Sequence, residues 1–138
     1  MRYAVPWPTA YLTVANPVEA EITVKRSRFR CRLERVTTED EARAVIEAAR
    51  KAHWDARHHC SAFITGAPPH VRERSSDDGE PAGTAGAPIL DVLRGRHTSD
   101  IVAVVTRWFG GTPLGAGGLV RAYGGVVADA LDAAQLVR

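Results

Sequence analysis

A chain of 138 residues, 45% hydrophobic and 25% charged, is long enough to bury a core without disulfide or metal staples and suits one domain, 1–138. A net charge of +2 does not by itself point to nucleic acid, and two cysteines, Cys31 and Cys60, make no disulfide framework. No apolar run is long enough to span a bilayer, and MRYAVPWPTAYLTV lacks a continuous apolar signal segment, so a cytoplasmic protein without membrane attachment is expected.

Residues 1–10 read as an irregular lead-in. Val18, Ala20, Ile22 and Val24 alternate with Glu19, Glu21, Thr23 and Lys25, which predicts a strand with one buried face. Phe29, Cys31 and Leu33 alternate with Arg28, Arg30 and Arg32, which predicts its hairpin partner. Thr38 followed by Glu41 is a capping-box pattern, and Ala42, Val45, Ile46 and Ala49 continue at helical spacing, so 39–53 is expected to be an amphipathic helix. RHHCSAFIT, 57–65, reads as a strand, and the polar stretch 66–82 as a long loop. A short helix is expected within 84–95. IVAVV within 100–109 has the continuous β-branched character of a central strand covered on both faces. The last helix is expected over 117–136, with Gly124 and Gly125 marking a close approach of helix to sheet. The class is α+β, a sheet with helices packed on it.

Two glycine-rich loops stand out, SSDDGEPAGTAG and RWFGGTPLGAGG. The second lies between a buried strand and a helix start, where backbone N–H groups and the helix dipole favour an anion. Arg107 and Arg121 flank it and could pair with a phosphate. It is neither a Walker A loop nor a dinucleotide fingerprint, and tight turns with close packing would account for the same glycines. The first loop offers Asp77, Asp78 and Glu80, which could do acid–base work or serve as ordinary turn and cap residues. His58 and His59 are adjacent on a strand, point to opposite faces and make a poor metal clamp. Arg28, Arg30 and Arg32 share one strand face. That face suits RNA phosphates, or equally a solvated face paired with Glu19, Glu21 and Glu34. Trp108 and Phe109 follow Arg107, and one of them is free to anchor a partner.

The strings KRSRF, DARHHCSAFI, SSDDGEPAGTAGAPIL, VVTRWFGG and LGAGGLVRAYGG, in this order and spacing, resemble the IMPACT family, whose bacterial members are called YigZ-like. The likeness runs from about residue 18 to about residue 132. It implies a sheet with helices on one face, similar to the ribosomal protein S-five domain-two-like fold. Many bacterial relatives carry a second small domain after this one; with 1–138 read as a single domain, none is expected here. The positions that carry over are Asp77, Asp78, Gly79, Glu80, Pro81, Gly83, Thr84 and Gly86 in the first loop. In the second they are Arg107, Gly110, Gly111, Gly115, Gly117, Gly118, Arg121 and Tyr123, and His58 and His59, ahead of both loops, match as well. Ala87 stands where a lysine is common, Trp54 where a proline is usual, and Ser61 where an aromatic is common.

Eukaryotic members are translation regulators, so the resemblance implies a regulatory or binding domain contacting RNA, the ribosome or a protein partner. Arg28, Arg30, Arg32, His58 and His59 are candidates for a nucleic-acid face. The alternative is a small enzyme, hydrolase-like or binding a phosphate ligand, built on the two loops. No catalytic residue, cofactor or metal is assigned. The two loops are expected to wall one cleft, an acidic rim beside a floor of backbone donors.

Overall fold

The structure, a computed structural model, describes residues 11–138; the lead-in read for residues 1–10 lies outside the described residues. The element order is β1 (Thr13–Val14), β2 (Val18–Val24), β3 (Ser27–Arg35), α1 (Glu39–Ala52), β4 (His58–Thr65), β5 (Arg72–Ser76), α2 (Gly86–Gly95), β6 (Ile101–Trp108), α3 (Gly115–Ala133) and β7 (Leu136–Val137). An antiparallel sheet runs β2-β3-β6-β4-β5, and β1 pairs with β7 in a short separate ribbon. No helix among the described residues is long and apolar enough to cross a membrane.

The α+β expectation holds, but the helices are not confined to one face. Phe29, Cys31, Leu33, Cys60, Ala62, Ala103 and Val105 project from one face toward α2 and α3. Phe63, Val102 and Val104 project from the other toward Ala42, Val45, Ile46 and Ala49 of α1. Successive side chains on a strand alternate faces, so the apolar run of β6 must be covered twice, and α1 is the second cover. The capping box forms as read. The Glu41 N–H donates to Thr38 Oγ1 at 3.1 Å, and the Glu41 carboxylate accepts from the Thr38 N–H. Acidic residues in its first turn and Arg50 and Lys51 in its last complement the helix dipole.

Three expectations need correction. The stretch 66–82 is not all loop, because Arg72–Ser76 pairs with β4 as an edge strand. Its polar sequence, RERSS, hides it, since an edge strand needs no alternation and charges protect it from further pairing. The last helix, expected over 117–136, runs Gly115–Ala133, and Leu136–Val137 instead pairs with β1 in a ribbon too short to leave a periodic signal. Gly124 and Gly125 do not mark a helix–sheet approach. A Cβ on Gly124 would meet Val92 of α2 at ordinary contact distance, and one on Gly125 would meet open space.

The β2–β3 hairpin closes with a two-residue turn, Lys25-Arg26, between the paired Val24 and Ser27. Both turn residues have positive φ, 47° and 69°. This is the φ signature of a type I′ turn, which normally takes Asn-Gly. Gly110 packs against this turn so closely that a Cβ there would stand 2.1 Å from the Arg26 carbonyl carbon.

Candidate functional site

The register brings one end of the sheet to a focus. Arg28 at the start of β3 pairs with Trp108 at the end of β6, and His58 at the start of β4 pairs with Arg107. The Lys25-Arg26 turn, the α1–β4 turn, the loop 77–86 and the start of α3 all meet there. A cleft of about 330 Å³ opens between the two glycine-rich loops. Glu80 and Pro81 line one wall, and Phe109, Pro113, Leu114, Gly115 and Ala116 the other. The two loops therefore do face each other across one cleft. The roles differ from the expectation: the Glu80 carboxylate is buried instead of forming an exposed acidic rim, and the helix N-terminus forms a wall.

Glu80 is buried, and both its oxygens accept from Arg107 Nη1, at 3.0 and 2.8 Å. Tyr123 Oη also donates to Glu80, and His58 Nε2 stands 3.5 Å from it. Arg107 is buried, and its Nη2 donates to Ser27 Oγ. Of the two arginines that could pair with a phosphate, Arg107 thus has its charge compensated inside by Glu80. Cys60 Sγ lies 3.1 Å from the Asp77 carbonyl oxygen and 3.3 Å from Tyr123 Oη. Burial, with Glu80, Asp78 and Asp77 adding, pushes the Cys60 thiol up to about 12 against the opposing Tyr123 hydrogen bond, so it is no thiolate nucleophile near neutral pH. Burial raises Tyr123 as well.

The rest of the acidic loop is equally occupied. The Asp77 carboxylate accepts from the N–H groups of Gly83, Ala85 and Gly86 and so caps α2, whose own N-cap residue, Ala85, provides no side-chain bond. Burial alone would raise Asp77; the three N–H donors outweigh it and hold the carboxyl below its ordinary range. Asp78 takes both terminal nitrogens of Arg50 and the His59 N–H, which likewise overcome its burial and lower it. The Thr84 hydroxyl donates to the Pro81 carbonyl oxygen.

His58 and His59 face opposite ways, as adjacent strand residues must. His58 Nδ1 bonds the Asp78 carbonyl oxygen and the ring lines the cleft. His59 is buried on the α1 side with Nε2 on the His53 carbonyl oxygen, and burial lowers its pKa. Among the described residues no group of three His, Cys, Asp or Glu side chains gathers to hold a metal ion.

The arginine face is self-paired. Glu19 holds Arg30 and Arg32, Glu21 holds Arg30 and approaches Arg28, and Glu34 holds Arg32. A larger trough of about 470 Å³ beside α1 shows the same compensation, with Arg43, Arg50 and Arg74 all paired to carboxylates. Lys25, Arg26, Arg57 and Arg121 differ. All four are exposed, and no carboxylate partner is found for them among the described residues. Lys25 and Arg26 form the turn against Gly110, the Arg57 guanidinium lies 4.8 Å from the Phe109 ring centroid, and Arg121 overlies Gly117. They surround the exposed Gly111, Gly115 and Gly117 and the half-buried Gly110 and Gly118, at a helix start with neither a side-chain cap nor an acidic first turn. Sequence reasoning singled out Arg121, placed Lys25 and Arg26 at the root of the arginine face, and passed over Arg57. The strand register sets Lys25 and Arg26 apart from that face, since they fall in the turn, outside the Arg–Glu ladder.

The Impact N-terminal domain family matches residues 25–131. Over 123 residues the chain is 51% identical to the IMPACT family member YvyE of Bacillus subtilis, covering 89% of this chain and 56% of that one. It is 48% identical to the IMPACT family member YigZ of Escherichia coli, covering 88% of this chain and 60% of that one. The chain thus spans little more than half the length of these relatives. A solved structure described as a hypothetical protein superposes with a TM-score of 0.89 at 44% identity, over 92% of this chain and 62% of that one. The two-domain translational regulator Yih1 shares the fold, with a TM-score of 0.52 at 24% identity, over 95% of this chain and 48% of its own. The chain belongs to the IMPACT family, and its β-sheet with its glycine-loop cleft is that family's N-terminal domain.

Proposed function

We propose that this domain regulates translation in the cytoplasm by contacting RNA, ribosomal or free, at the glycine-loop end of the sheet. One observation carries the reading: Lys25, Arg26, Arg57 and Arg121, free of carboxylates among the described residues, converge on an uncapped helix N-terminus. Phosphate oxygens suit both the cations and the free N–H groups. The paired Arg30 and Arg32 have their charge already compensated and are weak candidates for a footprint. Occupied carboxylates and a protonated Cys60 favour binding over catalysis. That Yih1 is a translational regulator agrees with the reading, which extends that role to this chain.

Binding of a labelled RNA across a salt series tests it. Affinity should fall linearly in log[salt], and Arg57→Ala/Arg121→Ala should reduce the slope by about one per charge removed. Arg30→Ala/Arg32→Ala should leave binding within about twofold, because those charges are spent on Glu19, Glu21 and Glu34. Absence of binding at low salt, or a slope indifferent to Arg57 and Arg121, overturns the proposal.

A further inference from the structure

We infer that the RNA taken at this end is single-stranded, with its bases stacked on Trp54 and Phe109. The inference rests on the RNA reading above and adds the form of the ligand. Tryptophan is among the more buried residue types, yet Trp54 is 81% exposed, and Phe109 is 40% exposed. Phe109 lines the cleft under one of the uncompensated cations, Arg57. Trp54 lies in the turn between α1 and β4, three residues before Arg57, whose guanidinium overlies Phe109. The neighbouring Trp108 is less exposed, with the Arg28 guanidinium 4.2 Å above its ring and the His53 ring packed edge-on at 5.2 Å, whereas Phe109 stays 40% exposed although Arg57 and Arg107 approach its ring at 4.8 and 5.5 Å. Among the described residues no ring or guanidinium stacks on Trp54, so its exposed indole is open to a ligand. Asp55, exposed beside it, disfavours a phosphate at that point and leaves the indole to a base.

A duplex cannot use such a platform, because its bases are stacked on each other and its outer surface is phosphate and sugar. A single strand can lay its backbone along the cations and turn its bases onto the rings. Each base–aromatic stack adds about 1–3 kcal/mol whatever the base.

The test compares a labelled single-stranded oligoadenosine with an RNA duplex of the same length, using wild type, Trp54→Ala, Phe109→Ala and Trp54→Phe. Wild type should prefer the single strand. Trp54→Ala should weaken single-strand binding by about 5- to 150-fold and leave duplex binding and the salt slope unchanged. Phe109→Ala should act in the same direction, and Trp54→Phe should retain most of the affinity. Trp54 packs on little, so its loss leaves the fold intact, which thermal unfolding of the variant confirms. If RNA binds with a slope set by Arg57 and Arg121 but ignores both aromatic changes, or if the duplex binds equally well, this inference fails alone. If neither RNA binds at low salt, it fails together with the RNA reading.

Discussion

The Arg107 guanidinium and the Glu80 carboxylate meet at 2.8 Å beneath the cleft, from positions 27 residues apart in sequence. The pair ties the end of β6 to the first glycine-rich loop, and Tyr123 ties both to α3. Its side chains are almost wholly enclosed, with 7% and 3% of their surface exposed. Removing one partner of such a pair leaves a buried charge without compensation. Arg107→Met should therefore lower stability by about 3–5 kcal/mol in urea unfolding. Arg107→Met/Glu80→Met should lose less than the sum of the two single changes, because the second removes the stranded charge. Additive losses would show that the two charges do not depend on each other.

Asp77 predicts how the fold responds to acid. Its carboxyl is held below the ordinary aspartate range, so the ionised form is favoured in the folded state. Its contribution is present in full above the unfolded value, near 3.9, and is lost as pH falls through the lower folded value. Asp77→Asn should cost about 1–2 kcal/mol at neutral pH by weakening the cap of α2. The gap between wild type and variant should begin to narrow below about pH 4, where the unfolded carboxyl takes up its proton, and close only once pH has fallen below the lower folded value. A gap that stays constant down to strong acid would mean that the charge of Asp77 is not what caps the helix.

The two thiols should be silent in the folded protein. Cys31 and Cys60 are unpaired and buried, and burial raises both. With Cys60 at about 12, its thiolate at pH 8 is on the order of one part in ten thousand. A thiol reagent at that pH should label neither residue natively and both after unfolding in denaturant. Rapid native labelling of Cys60 would reopen the enzymatic reading that its environment argues against.

How far the sequence could be read depended on where each residue's partner lay. The hairpin β2–β3, the capping box of α1 and the doubly covered β6 follow from periodicity and local chemistry, and all form. The conflict between a central strand covered twice and helices on one face was already present in IVAVV, whose alternate residues needed two covers. The acidic loop was harder. Asp77 caps a helix that begins nine residues later, and Asp78 finds Arg50 on a helix 28 residues earlier, so neither partner has a fixed sequence offset. For Arg30 and Arg32 both readings were open from sequence. The antiparallel register, with Glu21 opposite Arg30 and Glu19 opposite Arg32, decides for the paired face.

The turn at Lys25-Arg26 gives the sharpest separation of stability from function. Two long side chains occupy backbone at φ 47° and 69°, a region that Asn and Gly enter at much lower cost. Strain of this kind costs of order 1–3 kcal/mol per residue, and it persists where the surrounding structure holds it. Here the hairpin ladder fixes the register on one side, and Gly110 presses on the Arg26 backbone on the other. Nothing in the fold requires the two charges, since neither residue has an ion-pair partner among the described residues. Lys25→Asn/Arg26→Gly should therefore raise stability, by about 1–3 kcal/mol in urea unfolding. The same change should weaken RNA binding and flatten its salt dependence by about two in slope, one for each cation lost. Higher stability with unchanged binding would place the RNA elsewhere on the surface. Lower stability would mean that the two side chains hold the hairpin in a way their exposure does not reveal.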